Sequence, residues 1–196
     1  MKDVGQEVDD SVLINGYLSG KDEAFTVLYE RYKSLLYNYL NRLLNGDRSC
    51  ADDLFQQTWI KAVDQMGRYE HRQQFSAWLL RIAHNLAIDY FRKCGRLSQY
   101  EAGSLDEPES TVDPVGRNDE PWQGMHREEL EKAVSDAVGR LSPELREVFL
   151  LRREDISFRE IAEIQHCSIN TSLARMRYAL NKLRASLSGW SDATEG

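Results

Sequence analysis

Cysteine is scarce and scattered in this sequence: Cys50, Cys94 and Cys167 are three among 196 residues. An odd number at such distances argues against a disulfide framework and fits reduced thiols. The four histidines, at 71, 84, 126 and 166, stand far apart, and no HExxH, CxxC or phosphate-cradling glycine loop is present. Metal-dependent hydrolysis and nucleotide hydrolysis therefore find no support, so no catalytic residue, metal or cofactor is expected. His166 and Cys167 adjoin, but with no second ligand pair they read as turn packing. No apolar run approaches the roughly 18 residues that cross a bilayer. The opening "MKDVGQEVDD" lacks the basic start and apolar core of a secretory signal, so a cytoplasmic protein without membrane insertion is expected. Also missing is any β-alternating run of length, which leaves an all-α class. Proline is sparse as well, and three of its four positions fall in one stretch.

With 41% hydrophobic and 29% charged residues, the composition is that of a globular protein rich in charge. The net charge of −7 hides an uneven spread. From Arg72 to Leu97 five basic residues face one acid, Asp89; from Glu101 to Glu131 ten acids face two arginines. From Ser168 to Leu187 there are four basic residues and no acid. Two basic patches with an acidic stretch between them read either as two nucleic-acid contacts joined by a linker or as solvated helix faces.

Apolar periodicity is helical almost throughout. In "DEAFTVLYERYKSLLYNYLNRLLNGD", Phe25, Leu28, Tyr32, Leu35, Leu36, Tyr39, Leu40 and Leu43 recur at three- and four-residue steps, and Gly46 offers a stop. "SCADDLFQQTWIKAVDQMG" predicts a helix with Ser49 as N-cap, Asp52 and Asp53 in its first turn, an inner face of Leu54, Thr58, Trp59 and Ala62, and an end at Gly67. The loop "RYEHRQQ" follows, then the helix "FSAWLLRIAHNLAIDYFRK". Phe75, Trp78, Leu79, Ile82, Leu86 and Ile88 of that helix mostly serve a core, while Arg81, His84, Asn85, Arg92 and Lys93 are spaced for another side. Basic residues with Asn and His beside a polar loop suit single-stranded DNA, whose backbone is neutralised while its bases are stacked or pocketed. Between about Gln99 and Met125 the pattern dissolves into a proline-containing acidic stretch that reads as a mobile or extended linker.

Beyond it, Ser142-Pro143 places a cap before a proline at the first helical position, and Ser157 with Glu160 spells a capping box. A helix of about ten residues, a turn of about four and a basic helix give the helix-turn-helix outline, whose second helix enters the major groove. Ile161, Ala162 and Ile164 line the first of these helices. On the second, Ile169, Met176, Leu180 and Leu183 are expected to pack inward, leaving Asn170, Thr171, Leu173, Ala174, Arg177 and Tyr178 toward DNA. Asn, Thr and Arg read base edges or hold phosphates.

"AFTVLYERY", "ADDLFQQTWIKA", "FSAWLLRIAHNLAIDYFRK", "LSPELREVFLLRRED" and "SFREIAEI" occur in the order and spacing of the extracytoplasmic-function sigma factors of bacterial RNA polymerase, which this chain resembles over roughly 20–95 and 127–187. The resemblance implies sigma domain two over 10–97, an acidic linker over 98–125 and sigma domain four over 126–188. It implies a factor that binds core RNA polymerase, through the clamp helices of the largest subunit and the flap of the second, and directs it to promoter DNA without covalent chemistry. Asp52, Asp53, Leu54, Gln56 and Gln57 would then face the clamp. Arg72, Arg81, His84, Asn85, Arg92 and Lys93 would meet the minus-ten element. Ser168, Asn170, Thr171, Leu173, Ala174, Arg175, Arg177, Tyr178 and Lys182 would meet the minus-thirty-five element as duplex. The linker would thread toward the RNA exit channel, and an anti-sigma partner is implied. The sequence departs from the family pattern at Gln57, where an acid is frequent, and at Leu173, where a basic residue is common. The turn "QHCS" lacks the usual glycine, so either His166 or Cys167 tolerates that backbone or the turn differs from the family's.

Overall fold

The structure, a computed structural model, describes residues 8–70, 74–94 and 124–191. Among them no strand occurs, and eight α-helices carry the fold: α1 (Asp10–Leu18), α2 (Asp22–Leu43), α3 (Arg48–Gln65), α4 (Phe75–Lys93), α5 (Gly124–Gly139), α6 (Pro143–Arg153), α7 (Phe158–Ile164) and α8 (Ile169–Ser191). The all-α expectation holds. Arg72 and nearly all of the expected linker over 98–125 lie outside the described residues.

In the first half, α2 buries Leu28, Leu36, Tyr39, Leu40 and Leu43 at helical spacing. Its rings continue the core laterally: Phe25 and Tyr29 lie against Trp59 with centroids 5.7 and 5.1 Å apart, and Tyr32 against Phe75 at 5.1 Å. After α2 the backbone turns left-handed at Asn45 (φ 57°) and Gly46 (φ 83°), the stop expected from that glycine. The start of α3 differs from expectation. Asp47, not Ser49, is the N-cap, accepting from Cys50 N–H at 3.2 Å. The helix therefore begins at Arg48, and Asp52 and Asp53 fall beyond its first turn, because Asp47 already fills the role of capping acceptor. At the other end α3 closes at Gln65 and tightens into a 3-10 turn, Met66–Arg68, that contains Gly67. Asp10 ties α1 to α2 by accepting from Arg31 and Tyr32. Burial, reinforced by that carboxylate, pushes the Tyr32 phenol well up.

In the second half Ser142 occupies the cap position before Pro143, yet its hydroxyl makes no cap bond. The capping box is complete: Ser157 Oγ accepts from Glu160 N–H at 3.3 Å, and Glu160 Oε2 accepts from Ser157 N–H at 3.0 Å. Arg146 is the organising cation. Its guanidinium donates to Val138 O (3.2 Å), Gly139 O (2.6 Å) and Leu141 O (2.9 Å), satisfying carbonyls at and just beyond the end of α5. Burial lowers its pKa.

The two halves pack on each other. Helix α6 lies against α2 and α7 against α4, and the buried apolar residues of both halves form one continuous cluster.

Candidate nucleic-acid interface

The helix-turn-helix is built by a backbone device. Helix α7 ends after seven residues, shorter than expected, because His166 takes φ 51°. Cys167 N–H then donates to Ala162 O at 2.9 Å, the six-to-one bond of a Schellman stop. A non-glycine residue in that region costs roughly 1–2 kcal/mol, so His166 carries the strain that a glycine would avoid. Ser168 Oγ next accepts from Thr171 N–H at 3.0 Å and starts α8.

Ser172, Ala179 and Leu183 of α8 are buried, with Met176 half-buried between them. The small Ser172 and Ala179 let α8 lie close against α6 and α7, both of which it contacts. Ile169, expected inward, is 47% exposed, since it stands at the first position of the helix, ahead of the packed line. Asn170, Leu173, Arg177 and Lys182 are exposed, as is Ser168 ahead of the helix. Thr171, Ala174, Arg175 and Tyr178 are half-buried. The Arg177 guanidinium lies over the Tyr178 ring at 5.8 Å, and Arg175 Nη1 donates inward to Gln165 Oε1 at 3.0 Å.

On α4 the expected residues divide. Arg92 and Lys93 are exposed at its C-terminal end, Arg92 bonding Asp89 at 2.8 Å, and Arg81 is half-buried. His84 is not on the surface. It is 3% exposed, with Nδ1 2.7 Å from Glu147 Oε1 of α6. Asn85 is exposed, but its Oδ1 meets His166 Nε2 at 3.2 Å. Thus one group on the polar side of α4, His84, is covered by the second half and Asn85 is touched at its edge, which sequence periodicity along one helix does not reveal. Desolvation, with His84 and Arg81 adding to it, lowers the His166 pKa.

Helix α3 presents a third surface. Asp52, Asp53, Gln56 and Gln57 are exposed, whereas Leu54 turns inward at 5% exposure and belongs to the core. Ile60, 62% exposed, extends the same side one turn on. The sequence reading passed it over, although an isoleucine outside the apolar register was the available signal. Tyr37 bonds Asp52, and that carboxylate raises the phenol's pKa. Among the described residues no group of three or more His, Cys, Asp and Glu side chains could hold a metal, and no helix is long and apolar enough to cross a membrane.

A helix-turn-helix with an acid-free second helix, joined to a bundle that shows an acidic-amide strip and a basic helix, defines a two-part helical DNA-binding factor. Family models agree: residues 28–97 match Sigma-70 region 2, and residues 131–183 match Sigma-70, region 4. The ECF RNA polymerase sigma-E factor of Haemophilus influenzae is 29% identical over 178 residues, covering 88% of this chain and 92% of that one. Among solved structures, the sigma factor RpoE of Bartonella quintana, in complex with the anti-sigma factor NepR, aligns with a TM-score of 0.61 at 25% identity, over 84% of this chain and 96% of that one. CnrH, in complex with the cytosolic domain of CnrY, shares the fold with a TM-score of 0.63 at 24% identity, over 92% and 97% of the two chains. The chain belongs to the extracytoplasmic-function group of sigma-70 factors and is a transcription initiation factor.

Proposed function

We propose that residues 10–97 act as the core-binding and minus-ten module, 98–125 as the acidic linker and 126–188 as the minus-thirty-five module. Asp52, Asp53, Gln56 and Gln57 meet the clamp helices of core RNA polymerase, with Leu54 anchoring their helix from the inside. Arg81, His84, Asn85, Arg92, Lys93 and Arg72 bind the non-template strand of the minus-ten element. Binding energy drives melting: captured unpaired bases offset the few kcal/mol that each unstacked step costs, so the factor needs no covalent chemistry. Ser168, Asn170, Thr171, Leu173, Ala174, Arg175, Arg177, Tyr178 and Lys182 read and grip the upstream duplex. Leu173 stands where a thymine methyl offers an apolar contact. The second module lies on the polymerase flap, and the protein works in the cytoplasm. An anti-sigma factor holds it inactive, as NepR is found in complex with the Bartonella relative.

The observation that carries this reading is α8, which follows a left-handed turn at His166 and has Asn170, Leu173, Arg177 and Lys182 exposed with no acid from Ser168 to Leu187. Start-site mapping with purified core polymerase tests it. Adding the protein is expected to produce discrete new transcripts; identical transcripts with and without it overturn the proposal.

A further inference from the structure

Two of the three cysteines that the sequence scatters are brought together by the fold. Cys50 lies in the first turn of α3, where its N–H donates to Asp47 Oδ1 at 3.2 Å, and it is only 8% exposed. Cys94 is the cap residue that ends α4; its N–H donates to Tyr90 O at 3.0 Å, one turn back, and it is exposed. Helices α3 and α4 pack on each other, and the Tyr90 hydroxyl is hydrogen-bonded to both thiols. Neither thiol is in a disulfide. The bonds to Cys50 and Cys94, together with burial, raise the Tyr90 pKa, so the phenol keeps its proton. Burial raises the Cys50 thiol as well, with the bond to Tyr90 working against it.

We propose that Cys50 and Cys94 form an oxidant-sensitive dithiol, which a hydroperoxide converts into a disulfide tying the start of α3 to the end of α4. The division of roles follows exposure. Cys94, in solvent, is the sulfur that the oxidant reaches: its thiolate attacks the O–O bond of hydrogen peroxide, which leaves a sulfenic acid on Cys94 and releases water. Cys50, buried and protonated, is shielded from bulk oxidant and stands ready as the resolving thiol. Its sulfur attacks that of Cys94; the S–S bond forms, the S–O bond breaks, and the hydroxyl departs with the Cys50 proton as a second water. The two thiols lose two electrons and the peroxide gains them. Tyr90 O–H sits beside both sulfurs and donates to whichever bears negative charge. Because Cys94 stands past the last helical residue, bringing the sulfurs to about 2.05 Å bends the chain there without breaking α4. The consequence rests on the proposed reading of Arg92 and Lys93 as minus-ten contacts. They immediately precede Cys94 and are drawn with it toward α3, away from their exposed positions. Oxidation therefore weakens promoter opening, and a thiol reductant restores it.

The experiment treats full-length factor with hydrogen peroxide at neutral pH, removes the peroxide, digests without reductant and reads the peptides by mass spectrometry. A peptide in which Cys50 is joined to Cys94, lighter by two hydrogens than its parts and split by dithiothreitol, is expected. Cys94→Ser abolishes it, and Cys50→Ser leaves Cys94 to oxidise further to the sulfinic acid. Should Cys50→Ser fail to fold, Cys94→Ser at its exposed position carries the test. Independent oxidation of the two cysteines, or linkage only between separate chains, overturns the dithiol. Run-off transcription with the pretreated factor and untreated core polymerase then reads the consequence. Oxidised factor is expected to yield about fivefold less transcript or lower still, the worth of one lost DNA contact. Reductant restores the yield, and the Cys94→Ser variant is indifferent to peroxide. A linked factor that transcribes as the reduced one does overturns the effect on α4. A reduced, folded chain that directs no transcript overturns the sigma reading instead, with the peptide result still deciding the dithiol.

Discussion

Helices α4 and α8 carry the same kind of charge pattern and meet opposite fates. Helix α8 has its small residues, Ser172 and Ala179, inside and Asn170, Arg177 and Lys182 outside, so its polar side faces solvent. Helix α4 has His84 sealed against Glu147 and Asn85 engaged by His166. The difference is tertiary. An amphipathic helix shows which side is polar, but another element decides whether that side is free. On the proposed reading, the contrast means that the exposed side of α8 is open to duplex DNA, whereas one of the six groups assigned to the minus-ten element, His84, is closed off inside the molecule.

The strongest way to break the comparison is at Arg146, the cation shared by both halves. Arg146→Met leaves the carbonyls of Leu43, Val138, Gly139 and Leu141 without its donors. Uncompensated burial of such groups is expected to destabilise the chain by about 3 kcal/mol or more, read as a lowered urea midpoint. Arg177→Met, on the exposed side of α8, is expected to leave that midpoint within roughly 0.5 kcal/mol.

Next comes Arg177→Ala measured on DNA. If Arg177 reads a base edge, promoter affinity falls by about 1–3 kcal/mol and discrimination relaxes at one position; if it holds a phosphate, all sequences weaken together and the salt slope drops by about 1. Both outcomes keep α8 as the reader. Unchanged binding of duplex upstream DNA, measured by fluorescence anisotropy across a salt series, contradicts it.

A smaller effect sharpens the turn. His166→Gly relieves the left-handed backbone while cutting the contact to Asn85. The account expects a gain of up to about 1 kcal/mol in resistance to denaturation alongside looser association of the halves, visible as a larger radius of gyration. Loss of stability without expansion contradicts this division of roles.

The subtlest test is protonation. Desolvation, His84 and Arg81 lower the His166 pKa, with Glu147 acting the other way. A lowered folded value means that the neutral form is favoured on closure. The contribution of this group is therefore complete above the ordinary imidazole value of about 6.5 and is lost as pH falls from there through the lowered folded value. By NMR, the His166 midpoint is expected below that ordinary value, and Tyr39→Phe, which removes a hydrogen bond to Glu147, is expected to move it upward as the junction loosens.

Much of this molecule was legible from residue order. The α2 stripe from Leu28 to Leu43, the Ser157–Glu160 box and the inward Leu54, Thr58, Trp59 and Ala62 all follow from period and capping chemistry, and the structure contains each of them. The start of α3 was missed because Asp47 and Ser49 are both competent caps and sequence does not rank them by geometry. Ile169 was misplaced because the apolar register was extended to a helix end, where packing has not yet begun. His84 was placed on the surface because its partner is 63 residues away on another helix. Glu147, in "ELREVFLL", carried only the faint signal of an acid amid apolar neighbours.

The exposure of His84 tests the central claim most directly. Carbethoxylation by diethyl pyrocarbonate, followed by mass spectrometry, reports on that imidazole in the folded factor and in the denatured chain. A protected His84, closed off by Glu147 of the second half, is expected in the folded chain, with reactivity rising only on denaturation. A His84 that reacts in the free, folded chain as fast as in the denatured one contradicts it.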